Sequence, residues 1–121
     1  MSVFLDIPED QWILETDYFF VIKDKYPVTE GHLLILSKRK AVDYFALNEK
    51  EQSELIKAIS ISKQYLHDTY GKTDYNIGIN CGEYAGQTVF HFHCHIIPRR
   101  KGDVDNPRGG VRPSVIGQGY Y

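Results

Sequence analysis

Val89-Phe90-His91-Phe92-His93-Cys94-His95-Ile96-Ile97 is the stretch that decides the fold. Histidine alternates here with apolar residues, and a β-strand sends successive side chains to opposite faces. The pattern predicts one strand over Thr88–Ile97, with Phe90, Phe92, Cys94 and Ile96 on a core face. His91, His93 and His95 would share the other face. A strand whose only task is packing has no use for three polar rings in a row, so these residues are read as a site.

Outward from this strand the chain alternates between short apolar runs and turn residues. Gln11–Glu15 and Tyr18–Asp24 read as two paired strands about Thr16-Asp17. Lys25-Tyr26-Pro27 breaks the pattern, and His32–Leu36 follows Gly31 as a third strand. The texture turns helical from Ala41. Asn48 is placed to cap a helix, with Glu51 three residues on to reach back. Leu55, Ile56, Ile59, Lys63 and Leu66 then mark one face at helical spacing, and Gly71 is a suitable stop. His67, on the same helix, reads as a surface residue. Asp74–Cys81 forms a fourth strand, joined to the histidine strand by Gly82-Glu83-Tyr84-Ala85-Gly86. Pro98, which has no amide hydrogen to give a ladder, is expected to end that strand. Strands, one long helix, then strands again predict an α+β domain with a largely antiparallel sheet.

The 121 residues suit a single domain over 1–121, with 102–121 a segment rich in glycine and proline. A chain this small covers its own surface poorly, which favours a second copy against an exposed edge. The net charge of −2 argues against long nucleic acid as a partner, because such binding calls for a broad basic surface. Lys38-Arg39-Lys40 and Arg99-Arg100-Lys101 are short clusters of the solvated kind. No stretch approaches the roughly 20 apolar residues that cross a bilayer, so no membrane is expected. Met1 to Asp10 lacks the order of a signal peptide, and Cys81 and Cys94 sit in no cysteine cluster. The chain reads as cytoplasmic.

Two chemistries suit the histidine row. Two of the rings could hold zinc, with His32 supplying a third ligand. Three alternating histidines, however, span about 13 Å at roughly 3.3 Å per residue and converge poorly on one ion. A row of imidazoles can instead attack, orient and protonate along a chain of phosphates. A neutral imidazole near its pKa of about 6.5 is a competent nucleophile, and a protonated neighbour can assist the leaving group. His93, flanked on both sides, is the expected nucleophile. The glycines and short polar side chains of Asn80–Thr88 suit phosphate oxygens in the manner of an anion nest.

Asn80-x-Gly82-x-x-Ala85-Gly86-Gln87-Thr88-Val89-x-His91-x-His93-x-His95-x-x-Pro98-Arg99 resembles the signature of the histidine triad superfamily. Asp24-x-x-Pro27-Val28-x-x-Gly31-His32-x-Leu34 is similar to the family's other marker. The resemblance implies a five-stranded antiparallel sheet, two helices and a homodimer. It implies a nucleotidyl-histidine intermediate at His93, with His95, His91 and His32 assisting as catalytic residues. Asp24 falls where members hold the ribose, and Asn80, Gln87 and Thr88 where members contact phosphates or the leaving group. No metal site or required cofactor is implied, although Mg²⁺ can arrive with a polyphosphate substrate.

Pro98-Arg99 is similar to the fragile histidine triad branch, which hydrolyses dinucleoside polyphosphates such as diadenosine tri- or tetraphosphate. The nucleoside phosphoramidase branch usually has glycines there, and His95 in place of glutamine departs from the transferase branch. The runner-up readings are thus a phosphoramidase and a nucleotide-binding module with little turnover. Glu30 and Ser37 stand where proline is common, away from the proposed chemistry. Cys94 replaces an aliphatic residue and is expected to make the site sensitive to oxidation. Trp12, Tyr18, Phe19 and Phe20 are candidates to stack an adenine, but core packing is the expected role of most of them, while Tyr120 and Tyr121 could reach a partner subunit or substrate.

Overall fold

The structure, a computed structural model, describes residues 6–115. Five strands form one antiparallel sheet: β1 (Leu14–Glu15), β2 (Phe19–Lys23), β3 (Leu33–Ser37), β4 (Asp74–Ile79) and β5 (His93–Arg99). Their order across the sheet is β1-β2-β3-β5-β4, so β5 is flanked on both sides while β4 forms an edge. Among the described residues one α-helix, α1 (Glu49–Tyr70), covers one face. Tyr120 and Tyr121 lie outside the described residues.

Two of the strands, β2 and β3, are apolar on both faces. Phe19 and Val21 of β2, Leu33 and Ile35 of β3, and Cys94 and Ile96 of β5 turn toward α1 and join Leu55, Ala58 and Leu66 in the main core. Phe20, Ile22, Leu34 and Leu36 point the other way and pack with Ile7 and Trp12. The buried stripe of α1 is Glu51, Leu55, Ala58, Ser62 and Leu66. Ile56 and Lys63, expected on that face, are exposed, because the true stripe advances by four and three residues through Ala58 and Ser62. The Asn48–Glu51 capping box forms as expected.

Three expectations are corrected. Only one α-helix is present among the described residues, not two. The helical texture after Ala41 yields a three-residue 3-10 turn at Tyr44–Ala46, capped by the Asp43 side chain and stopped before Asn48. The histidine strand begins at His93, not Thr88, because the residues before it bond to a loop. Phe92 donates its amide to the Ala41 carbonyl at 2.6 Å, which draws this stretch out of the ladder. Phe90 is consequently half exposed while Phe92 is buried.

Pro98, the third, lies inside β5, opposite Tyr75 of β4. Its carbonyl accepts from the Thr29 hydroxyl at 2.8 Å, on the side where β3 has not yet begun. The missing amide hydrogen therefore leaves no ladder bond unmade.

Gly31 closes the β2–β3 connection with φ +91°, and a Cβ there would stand 2.9 Å from the Tyr70 ring, 3.2 Å from Leu66 and 3.3 Å from Pro98. Gly71 shares the positive φ but faces open space. Gly31→Ala is expected to cost about 1–3 kcal/mol, and visibly more than Gly71→Ala. Urea unfolding of both variants checks this.

Candidate active site

Alternation along β5 puts His93, His95, Ile97 and Arg99 on the face away from α1. Register then fixes their neighbours. Phe20, Leu36 and His93 form one row across the sheet, and Ile22, Leu34, His95 and Gly78 form the next. A buried apolar cluster, covered by Ile7 and Trp12, thus lies on one side of the imidazoles. On the other side Gly78 leaves the strip beside His95 bare, since a Cβ there would meet nothing within 4 Å.

His93 is held through its Nδ1, which lies 2.8 Å from the backbone carbonyl of His91. A carbonyl only accepts, so Nδ1 carries the proton and Nε2 the lone pair. This is the tautomer a nucleophile attacking through Nε2 requires.

His95 is oriented by residues from outside its strand. The Val28 amide donates to His32 Nδ1 at 3.2 Å, which places the His32 proton on Nε2. That atom stands 2.9 Å from His95 Nδ1 and 3.3 Å from Asp24 Oδ2. His95 therefore accepts at Nδ1 and keeps its own proton on Nε2. The His93 and His95 ring centroids are 5.4 Å apart. Asp24, His32 and His95 offer atoms within 4.8 Å of one another, close enough for a cation. Ligation by His32 Nε2 would shift its proton to Nδ1, against the Val28 amide, whereas a metal-bound histidine normally donates from its other nitrogen. The trio is built as a hydrogen-bond chain.

Burial pushes the pKa values of His32, His91 and His95 below the ordinary 6.5. For His95 the neighbouring His32 and His93 add to that effect, and Asp24 opposes it. These rings are thereby biased toward the neutral form.

The expected site residues do not all meet. His32, His93, His95 and Asp24 gather on the open face. His91 is fully buried, its Nε2 2.7 Å from the Ser37 carbonyl, and it serves His93 through its own backbone. Gln87 is also buried. Its side-chain oxygen takes the Gly82 amide at 2.8 Å, and its NH₂ group reaches the carbonyls of Val42 and Val89. Thr88 is exposed and Asn80 half-buried in the loop ahead of β5. Phe19 is a core residue, while Trp12 stacks on Phe20 at 4.2 Å on the open face. Ser37, Gly78 and the Val28 amide were missed. A glycine inside a strand could have flagged Gly78, but a backbone amide leaves no sequence signal.

Cys94 lies on the helix side with its thiol pushed up to about 12 by burial, which overturns the expectation that it sensitises the site to oxidation. A cavity of about 570 Å³ lies between the far end of β4–β5 and the loop after them. Its cationic residues are Arg99, Arg100 and Lys101, and its acidic ones Asp74, Asp103 and Asp105. Arg99 is already committed to Asp103 and Asn76. The balance of charge there does not suit a phosphate chain.

The HIT domain family matches residues 7–102 of the chain. The nitrilase and fragile histidine triad fusion protein of Caenorhabditis elegans is 36% identical over 98 residues, covering 81% of this chain and 22% of the fusion. Bis(5'-adenosyl)-triphosphatase of Dictyostelium discoideum is 30% identical over 100 residues, covering 83% and 67%. A solved structure, a hypothetical histidine triad nucleotide-binding protein of Sulfolobus tokodaii, superposes with a TM-score of 0.71 at 34% identity, covering 76% and 62%. The chain spans less than two thirds of the length of several curated relatives it matches.

Two outcomes test the geometry. With folded-state pKa values below 6.5, the three histidines bind fewer protons folded than unfolded in acid. Their contribution to stability is complete above 6.5 and is lost as pH falls through the lowered values. The melting temperature is therefore expected to fall from pH ~7.5 to ~5.5, ahead of carboxylate titration. In native protein a thiol reagent at neutral pH should modify Cys81 and leave Cys94 untouched. Mass spectrometry after brief labelling reads this out.

Proposed function

The chain belongs to the HIT family, on its fragile histidine triad side, and from that premise we propose that it hydrolyses a dinucleoside polyphosphate through a nucleotidyl-histidine intermediate at His93. The observation that carries the proposal is the His93 Nδ1 bond to the His91 carbonyl, which points the Nε2 lone pair onto the open face.

In the first step His93 Nε2 attacks the phosphorus nearest a nucleoside. The P–O bond to the remaining polyphosphate breaks, and its electron pair leaves on that oxygen. His95 donates a hydrogen bond from Nε2–H to this oxygen as charge develops, and the polyphosphate leaves as the anion. The His93 ring becomes positively charged, and the His91 carbonyl facing Nδ1–H stabilises it. In the second step water attacks the same phosphorus, the N–P bond breaks, and a nucleoside monophosphate departs. The water's proton is lost to solvent, and the electron pair of the broken N–P bond returns to His93 Nε2 as a lone pair. The ribose of the bound nucleoside lies beside Asp24. Mg²⁺ bound to the polyphosphate would offset its charge.

A homodimer is part of the proposal. The outer edge of β4 lacks a neighbouring strand among the described residues, and Ile77 on it is 49% exposed. Ile59, Lys63, Tyr75 and Ile77 line a groove of about 370 Å³ between α1 and this edge. A second copy would cover both. Two free thiols suit a reducing cytoplasm, and no helix of the described residues is long and apolar enough to cross a membrane.

The test is product analysis of wild type and His93→Ala on diadenosine tri- and tetraphosphate, with an adenosine phosphoramidate alongside. Nucleoside monophosphate from the dinucleotides is expected, falling by several orders of magnitude in the variant while nucleotide binding persists. Faster turnover of the phosphoramidate would move the assignment to a phosphoramidase, and binding without turnover to a nucleotide-binding module.

A further inference from the structure

Ser37, the last residue of β3, is fully buried and touches His91 twice. His91 Nε2 lies 2.7 Å from the Ser37 carbonyl and 3.2 Å from the Ser37 hydroxyl. The carbonyl can only accept, so Nε2 bears the proton. The hydroxyl gives its own proton to the Arg39 carbonyl at 2.7 Å, and a lone pair faces the imidazole. Both contacts select the same tautomer.

The ladder explains why this carbonyl is available. Lys38 donates to the Tyr18 carbonyl at 2.9 Å, which places the next bonds of β3, those of Ser37, on the β5 side. The β3–β5 pairing stops at Leu36 and His93, and the His91 ring occupies the position a further strand residue would take. From there His91 hands its backbone carbonyl to His93 Nδ1. On the other side of Ser37, the Arg39 guanidinium grips the buried Glu51 carboxylate at 2.7–3.2 Å. Glu51 closes the capping box of α1. A chain of bonds thus runs from the start of α1 to the nucleophile, and Ser37 is the link where it crosses from β3 to His91.

We propose that Ser37 is a positioning residue: its hydroxyl and carbonyl together clamp His91 in one orientation and so fix the carbonyl that aims His93. This rests on His93 being the nucleophile. Ser37→Ala keeps the backbone carbonyl and removes the second contact, letting the His91 ring and the carbonyl it carries relax.

The experiment compares wild type, Ser37→Ala, Ser37→Thr and His93→Ala by steady-state kinetics on diadenosine triphosphate, with folding checked by circular dichroism. Nitrogen-15 spectra follow the His91 Nε2–H. Loss of one hydrogen bond's worth of alignment predicts a roughly tenfold fall in kcat for Ser37→Ala with KM nearly unchanged. A shifted His91 signal should accompany it, and Ser37→Thr, which keeps the hydroxyl, should recover most of the rate. A folded Ser37→Ala with wild-type kcat and an unmoved His91 signal overturns the proposal. So does an equal loss in a folded Ser37→Thr. Full activity in His93→Ala would instead remove the nucleophile assignment on which it rests.

Discussion

The site depends on one packing constraint: Cys94 and Ile96 must face α1. Both are fully buried among Val21, Ile35, Leu55 and Leu66. Side chains alternate along a strand, so this burial obliges His93 and His95 to point the other way. A slip of one residue in the β3–β5 pairing would put both imidazoles into the core and expose Cys94 and Ile96. Burying a large apolar side chain is worth about 1.5–3 kcal/mol, and enclosing an unpaired imidazole carries a penalty of its own. The core therefore aims the nucleophile, and the central position of β5 lets ladders on both sides hold that aim.

The rest of the site comes from the β2–β3 connection, and it is fastened to the same strand. Thr29 bonds the Pro98 carbonyl, and Arg100 reaches the Glu30 carbonyl at 2.9 Å while its guanidinium lies 5.7 Å from the Tyr70 ring centroid. Gly31 makes the close turn that these attachments require. The loop bearing His32 is thus tied to β5 at points beyond the histidines. Such cross-ties limit drift between His32 and His95, whose bond sets which nitrogen of His95 carries a proton.

The parts of this arrangement that follow local rules were legible in the sequence. The alternation of His93, Cys94, His95 and Ile96 foretold a strand with one core face and one chemical face, and Asn48 with Glu51 foretold the helix start. His91 obeys the same alternation in sequence but not in space. The distant carbonyl of Ala41 captures the Phe92 amide and ends the ladder, and no local pattern encodes that contact. Pro98 misled for a related reason, since its cost depends on which neighbour its nitrogen faces. The helix face was blurred because Ala58 and Ser62, small enough to approach the sheet, carry a weak hydrophobic signal. Ser37 looked like a neutral departure from the family pattern until the end of the β3–β5 ladder turned its carbonyl toward His91.

Proton placement joins these observations. Each ring has one nitrogen assigned by a partner that can only accept, or only donate. The Val28 amide sends the His32 proton to Nε2, and that proton sends His95's to its outer nitrogen. The Ser37 carbonyl fixes the proton of His91 on Nε2, and the His91 carbonyl fixes that of His93 on Nδ1. The two chains deliver opposite results to adjacent side chains: a lone pair at His93 Nε2 and a proton at His95 Nε2. A nucleophile and a hydrogen-bond donor to the leaving group need that opposition, and like residues in like surroundings would not supply it. Burial biases His32, His91 and His95 toward the neutral form, and within that form backbone groups decide which nitrogen carries the proton. The loop around Val28 and the end of β3 therefore shape the chemistry as directly as the rings do.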